Sequence, residues 1–299
     1  MNTPSAGLEP GLTVLVHERP RLIGLAYRLL GSLSDAEDVV QEAYGRWFAL
    51  PAPQRETIES PGAWLTTVAS RICLDQLGSA RARRERYVGE WIPEPLPAHV
   101  DRLTDPADRV TADESITMAF LIVLESMTPA ERVAFVLHDV FGYRFAEVAG
   151  IVGRTSAACR QLASSGRRRV RASRAASPSA APNGDVVRAF RLAWEAKDIE
   201  GLIGLLDPAA TATADGGGVV TAVRRPITGG ERIARYAVES TSWIPALTIA
   251  ETTVNGRPGL VARRDGIVVA VLAFDVAGDV IRHIWAVRNP EKLRRWQAG

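Results

Sequence analysis

The sequence predicts a multi-domain chain in which two all-α segments precede a C-terminal α+β domain. Three observations carry that prediction. Apolar residues recur at helical spacing through much of residues 11–176, with a Pro-rich interruption at 87–108. A tether without acids, ASRAASPSAAPNG (172–184), follows. Beyond it one amphipathic helix gives way to strand-like runs separated by turn pairs.

A length of 299 residues suits about two domains, and 46% apolar with 23% charged residues is ordinary globular composition. The net charge of +2 says little, but the charges sit in blocks. Acids gather at 35–42 and 90–114, arginines at 71–86 and 154–174, which suggests distinct partners on distinct faces. Cys73 and Cys159 lack CxxC or Cys/His spacing, so neither a metal site nor a disulfide framework is expected. That suits a reducing cytosol. The N-terminus MNTPSAGLEPG has no basic segment and no apolar core, and the longest apolar run, Ile267–Phe274, is too short to span a bilayer. The expectation is a cytoplasmic protein without a membrane partner.

Each element has local signals. Ser34 and Glu37 are spaced as a capping box. Ala36, Val39, Val40, Ala43, Trp47 and Phe48 then form an apolar stripe, leaving Asp35, Asp38 and Glu42 on the other side. Ser60-Pro61 starts a helix through Trp64, Val68 and Ile72, and Thr128-Pro129-Ala130-Glu131 is the clearest helix start in the chain. The stretch YVGEWIPEPLPAHVDRLTDPAD (87–108) has too many prolines for a long helix, so an extended acidic connector is expected. Residues 184–206 read as an amphipathic helix through Val187, Phe190, Trp194, Leu202 and Leu205. Asn255-Gly256, Asp265-Gly266 and Ala277-Gly278-Asp279 mark turns, and GIVVAVLAF with DVIRHIWAV reads as an antiparallel pair.

Residues 141–171 read as helix-turn-helix: a short helix over 144–151, a tight turn at Gly153-Arg154-Thr155, and a second helix from Ser156 with few apolar positions, Ala158, Leu162 and Val170. No acid occurs between Glu147 and Asp185, which suits a phosphate-facing surface. Arg160, Gln161 and Ser164 are the candidates for base edges, with Arg167, Arg168, Arg169 and Arg171 available for phosphates, and Arg154, Thr155 and Ser156 at the turn join them as DNA-binding candidates. A second basic element supplies Trp64, Arg71, Gln76, Arg81, Arg83 and Arg84. Against these stand a solvated basic helix for the former and a core role for Trp64.

DAEDVVQEAYGRW, SPGAWLTTVASRICLDQL and MTPAERVAFVLHDVFGYRFAEVAGIVGRT together resemble regions 2 and 4 of extracytoplasmic-function sigma factors. The C-terminal third resembles the SnoaL-like cone, nuclear transport factor 2-like in fold, that is fused to the sigma-J-type group. VGEWIPEPL (88–96), DGGG (215–218) and NPEKL (289–293) match that group. The resemblance implies a sigma factor that directs RNA polymerase to specific promoters and has no catalytic residues, metal or cofactor of its own. It implies that Asp35, Glu37, Asp38, Gln41 and Glu42 dock on the largest catalytic polymerase subunits. Residues 51–86 would melt the −10 promoter element, residues 144–171 would read the −35 element, and the connector would thread toward the RNA exit path. It further implies regulation in cis through Trp91 and Pro93 of the connector, Asp215, Gly216, Gly217 and Gly218, and Asn289, Pro290, Lys292 and Leu293. The implied organisation is 1–86 region 2, 87–112 connector, 113–173 region 4, 174–183 linker and 184–299 regulatory domain.

Two departures from the group stand out. Gly78 occupies a position where Arg is common, and Ser165-Gly166 replaces Arg-Ala. In the C-terminal domain, Asp215, Asp275 and His283, with Trp243 and Trp285 as apolar lining, are the residues an enzymatic cavity would need. A structural His283 and a terminal helix capped by Asn289-Pro290 are the plainer readings. Two other functions remain as alternatives. One is a ligand-sensing helix-turn-helix regulator that works without polymerase. The other is a bifunctional protein whose cavity takes a small ligand or substrate.

Overall fold

The computed structural model describes residues 10–84, 87, 89–98, 100, 116–176, 184–220, 222–223, 225–243 and 246–297. They group into two units: one from the described residues up to Ser79 together with Met127–Ser165, the other from the rest.

In the first unit, α1 (Pro10–Leu30) ends where Gly31 turns left-handed at φ 70° and donates its N–H back to the Tyr27 carbonyl at 2.7 Å. α2 (Leu33–Ala49) follows at once. Its N-cap is Ser32, whose Oγ accepts from the Asp35 N–H at 3.2 Å. The capping box expected at Ser34 and Glu37 therefore does not form, because the first helical turn has already closed over Ser32. The buried stripe is Leu33, Ala36, Val39, Val40, Ala43 and Trp47. Phe48, expected on that stripe, is 51% exposed. It lies 100° from Trp47 around the helix, which carries it off the buried side.

A short helix, α3 (Ala52–Glu56), precedes α4 (Pro61–Arg84), which starts as expected with the Ser60 hydroxyl accepting from the Ala63 N–H. α6 (Pro129–Phe135) has the complete capping box of Thr128 and Glu131. A π-helical turn (Val136–Val140) leads to α7 (Phe145–Val152), and Gly153 at φ 69° makes the turn into α8 (Ser156–Ala176). The buried residues of α8 are Cys159, Ala163 and Gly166, while Ala158, Leu162 and Val170 are only half-buried.

The second unit contains α5 (Met118–Glu125) and an open, mixed six-stranded sheet with three helices. The helix expected over 184–206 is two, α9 (Gly184–Glu195) and α10 (Ile199–Leu205). Lys197 takes φ 57°, and Asp198 then caps the second helix through the Gly201 N–H. β1 (Leu206–Asp215), β2 (Ile227–Thr228), α11 (Gly230–Trp243), β3 (Leu247–Val254), β4 (Arg257–Arg264), β5 (Ile267–Ala277) and β6 (Val280–Val287) complete it in the order β2-β1-β6-β5-β4-β3. Asn255-Gly256 and Asp265-Gly266 both have two successive positive φ values, as a two-residue hairpin requires. β1 and β6 are parallel, and the rest are antiparallel.

The sheet buries both faces. One packs Leu260, Leu272, Ile281 and Ile284 under Val187, Phe190 and Trp194 of α9, with Leu202 and Ala234. The other packs Val254, Val261, Val271, Trp285 and Val287 under connector residue Ile92, Met118 of α5, and Leu293 and Trp296. This second face positions the site described next.

Candidate functional site

The candidate residues of the connector, the glycine motif and the C-terminus meet at one point, the end of β1. Asp215 is fully buried. Its Oδ1 accepts from the Tyr87 hydroxyl at 2.6 Å and the Gly217 N–H at 3.0 Å. Its Oδ2 accepts from the Ile92 N–H at 3.0 Å and Lys292 Nζ at 2.7 Å. Its own carbonyl accepts from the Arg288 and Asn289 N–H groups. A buried carboxylate is tolerated when each oxygen is bonded and a cation is at hand, and both conditions hold here.

The neighbours are bound in turn. Asn289 donates from Nδ2 to the Tyr87 hydroxyl at 3.0 Å, and its Oδ1 accepts from the Glu291 N–H. Lys292 also donates to the Ile92 carbonyl and sits 4.1 Å from the Trp91 ring centre. Burial, and then the Asp215 carboxylate, push the Tyr87 phenol well above its ordinary pKa, so it stays protonated as the donor. Farther along the connector, Pro95 accepts from Trp296 Nε1 at 2.9 Å. Leu96 exchanges hydrogen bonds with Asn255, through the side-chain oxygen in one direction and the backbone N–H in the other. Pro93 is buried, and Glu94, only 6% exposed, lies 3.8 Å from Arg295.

Gly216 and Gly217 permit close approach of their neighbours. A Cβ on Gly216 would stand 2.4 Å from the Val220 carbonyl oxygen. One on Gly217, at φ 67°, would stand 2.6 Å from the Asn289 side chain. Gly218 is at φ 71° and exposed. The terminal helix expected after Asn289 is a run of tight turns ending in a 3-10 helix, Arg294–Trp296. Pro290 is exposed and Leu293 is 1% exposed in the core.

Sequence reasoning missed Tyr87, Ile92, Asn255 and Trp296. Tyr87 stands one residue before VGEWIPEPL, and a phenol next to a docking motif was the available signal. Asn255 was read only as a turn residue. It does turn the β3–β4 hairpin, and it also holds the connector.

The enzymatic candidates are placed differently. Asp275 and His283 are register partners on β5 and β6, and His283 stacks on Trp285 and shares a hydrogen bond with Thr213. The side chain of Trp243 lies outside the described residues.

In the first unit, Asp35, Asp38, Gln41 and Glu42 are exposed on α2, with Glu37 half-buried. Glu42 pairs with Arg46 one turn on, and Phe48 continues the exposed side. On α4, Trp64 packs edge-on against Trp47 with ring centres 5.2 Å apart, Gln76 is half-buried, and Arg71 donates to the Gly150 carbonyl at 2.8 Å. The side chains of Arg81, Arg83 and Arg84 lie outside the described residues. Arg154, Thr155, Arg160, Gln161 and Arg168 are exposed, and Ser156, Ser164 and Arg167 half-buried. Spacings of three and four place Arg160, Gln161, Ser164 and Arg168 on one side of α8, away from the buried Cys159–Ala163–Gly166 stripe. The Thr155 hydroxyl accepts from the Ala158 N–H, capping α8.

The family model of sigma-70 region 2 matches residues 15–83, and that of sigma-70 region 4 matches residues 118–170. A region 2 followed by a region 4 in one chain defines a sigma-70-type factor. The chain is 39% identical over 289 residues to the ECF RNA polymerase sigma factor SigJ of Mycobacterium tuberculosis, covering 92% of this chain and 90% of that protein. It is 36% identical over 282 residues to the probable ECF RNA polymerase sigma factor SigI of the same organism, covering 92% of each. The crystal structure of M. tuberculosis SigJ matches with a TM-score of 0.73 at 34% identity, over 95% of this chain and 98% of that one. The chain belongs to the extracytoplasmic-function sigma factors.

Proposed function

We propose that this chain directs RNA polymerase to promoters and that its C-terminal domain regulates this in cis by holding the connector. The observation that carries the second half is Asp215, whose carboxylate is bonded to Tyr87 and Ile92 of the connector and to Lys292 near the C-terminus. The domain boundaries expected from the sequence belong to this reading. So do the acidic face of α2 as the polymerase contact, extended by Phe48, and the exposed side of α8 as the major-groove reader. Like charge keeps the α2 face away from phosphates, while the arginines of α8 attract them. Asp215 is committed to the connector, so the reading needs no catalytic residue from this domain.

Reconstituted transcription with core polymerase and a cognate promoter tests the proposal. A D35N/D38N/E42Q chain should lose most initiation while still binding duplex promoter DNA. K292M and D215N should shift initiation relative to the parent chain without abolishing it. Initiation that ignores both sets of substitutions would sink the reading.

A further inference from the structure

Arg160 is the cationic member of the base-edge candidates and the fifth residue of α8, in the N-terminal part of the helix, where a recognition helix meets bases. Its side chain is exposed, and its guanidinium carbon lies 5.7 Å from the centre of the Phe145 ring. That is within reach of an attractive cation–π contact. Phe145 opens α7, whose first turn is fixed by Glu147 accepting from the Arg144 N–H at 2.8 Å. The ring is itself held. His138 stacks on it with ring centres 3.8 Å apart and planes 27° from parallel. His138 Nδ1 lies 2.8 Å from the Tyr143 carbonyl oxygen, which can only accept, so that nitrogen carries a proton and the bond fixes the imidazole. The π-helical turn Val136–Val140 and Gly142 at φ 73° bring the Tyr143 carbonyl back to the histidine.

We propose that Phe145, backed by His138, is a positioning residue that presets Arg160 for one guanine of the −35 element. The inference deepens the reading of α8 given above and rests on it. A free arginine side chain surrenders rotamer entropy when it reaches a base, and one already ordered surrenders less. No acid stands between Glu147 and Asp185, so α8 itself supplies no carboxylate to order Arg160, and the ring does so instead. The choice matters chemically. A carboxylate would occupy the guanidinium donors, whereas an aromatic face leaves the donor fork for a base edge. Guanine presents O6 and N7 as paired acceptors in the major groove, which that fork matches, and no other base offers two acceptors there. Arg167 and Arg168, assigned to phosphates, lie about two turns farther along α8. Loss of the ring therefore lowers discrimination and leaves general DNA affinity in place.

The test uses the full chain with core polymerase and a pool of promoter duplexes randomised over the −35 element, with the bound fraction sequenced. The parent chain should show a guanine preference at one position that R160A removes, a loss of about tenfold or more. Replacing that guanine by 7-deazaguanine, which lacks the N7 acceptor, should weaken the parent and leave R160A indifferent. Phe145 is half-buried, so its variants keep its bulk. F145L retains apolar volume without the aromatic face and should cut the same preference about two- to fivefold, with binding to non-specific duplex unchanged. F145Y restores the face and should restore the preference. A guanine preference that survives R160A, no response to F145L, or an F145L loss spread equally over every duplex would each overturn the proposal. A bound pool with no −35 preference for any chain would overturn the reading of α8 instead, and failure of every chain to bring polymerase to DNA would overturn the sigma-factor reading.

Discussion

Asp215 draws four donors onto one buried carboxylate, and only one of them, Lys292, carries charge. With the lysine side chain 11% exposed and the carboxylate fully buried, losing one partner strands the other in a poorly solvated place. Breaking such a pair costs about 3–5 kcal/mol. K292M should therefore speed hydrogen exchange of the Ile92 amide, which Asp215 also binds, by about two orders of magnitude. His283 gives a pH-dependent counterpart. Burial lowers its pKa, with Asp275 acting in the opposite direction. A base held neutral in the fold contributes stability above its unfolded pKa of about 6.5 and loses it as the pH falls toward the lower folded value. Calorimetry of the full chain should show the C-terminal transition moving to lower temperature from pH 7.5 to 5.5, with H283Q flattening that shift.

Helix ends decided how well each element could be read. Ser60-Pro61 and Thr128-Pro129 were legible because proline at the first helical position leaves one register for the cap. Ser34 was misleading because Ser32 offers the same hydroxyl two residues earlier, and the tight left-handed turn at Gly31 delivers the chain to it. Replacing Thr128 by Ala should cost about 1 kcal/mol in chemical denaturation by removing the hydroxyl that accepts from the Glu131 N–H, the half of the box that the side chain supplies. Gly78 on α4 offers the opposite change. It is exposed, a Cβ there would meet nothing within 4 Å, and its φ is not positive. G78A should stabilise the first unit by about 0.5–1 kcal/mol, and an unchanged or lower midpoint would contradict this account. The break between α9 and α10 escaped notice because Lys197 adopts a left-handed conformation that its residue type does not advertise.

For the whole molecule, the order of segments and the family were legible because they rest on periodicity and spaced motifs, both local properties. The site was legible as three separate motifs, but their meeting was not. Tyr87 and Asp215 are 128 residues apart, and Ile92 and Lys292 are 200 apart, so no pattern along the chain joins them. The two sheet faces were hidden for a similar reason: both are apolar, and nothing local says that one is covered by the connector and α5. Ending the chain at residue 288 removes Asn289, Lys292, Leu293 and Trp296 together, so reconstituted transcription should differ between that truncation and the full chain, in step with K292M. Gly217 and Asn289 leave a mark of another kind. A methyl group on the glycine would overlap the asparagine side chain, so the two positions share a single volume. Natural variation at 217 should accordingly be accompanied by a smaller residue at 289. A comparison of many such chains would then display, as paired substitutions 72 positions apart, a contact that neither motif reveals by itself.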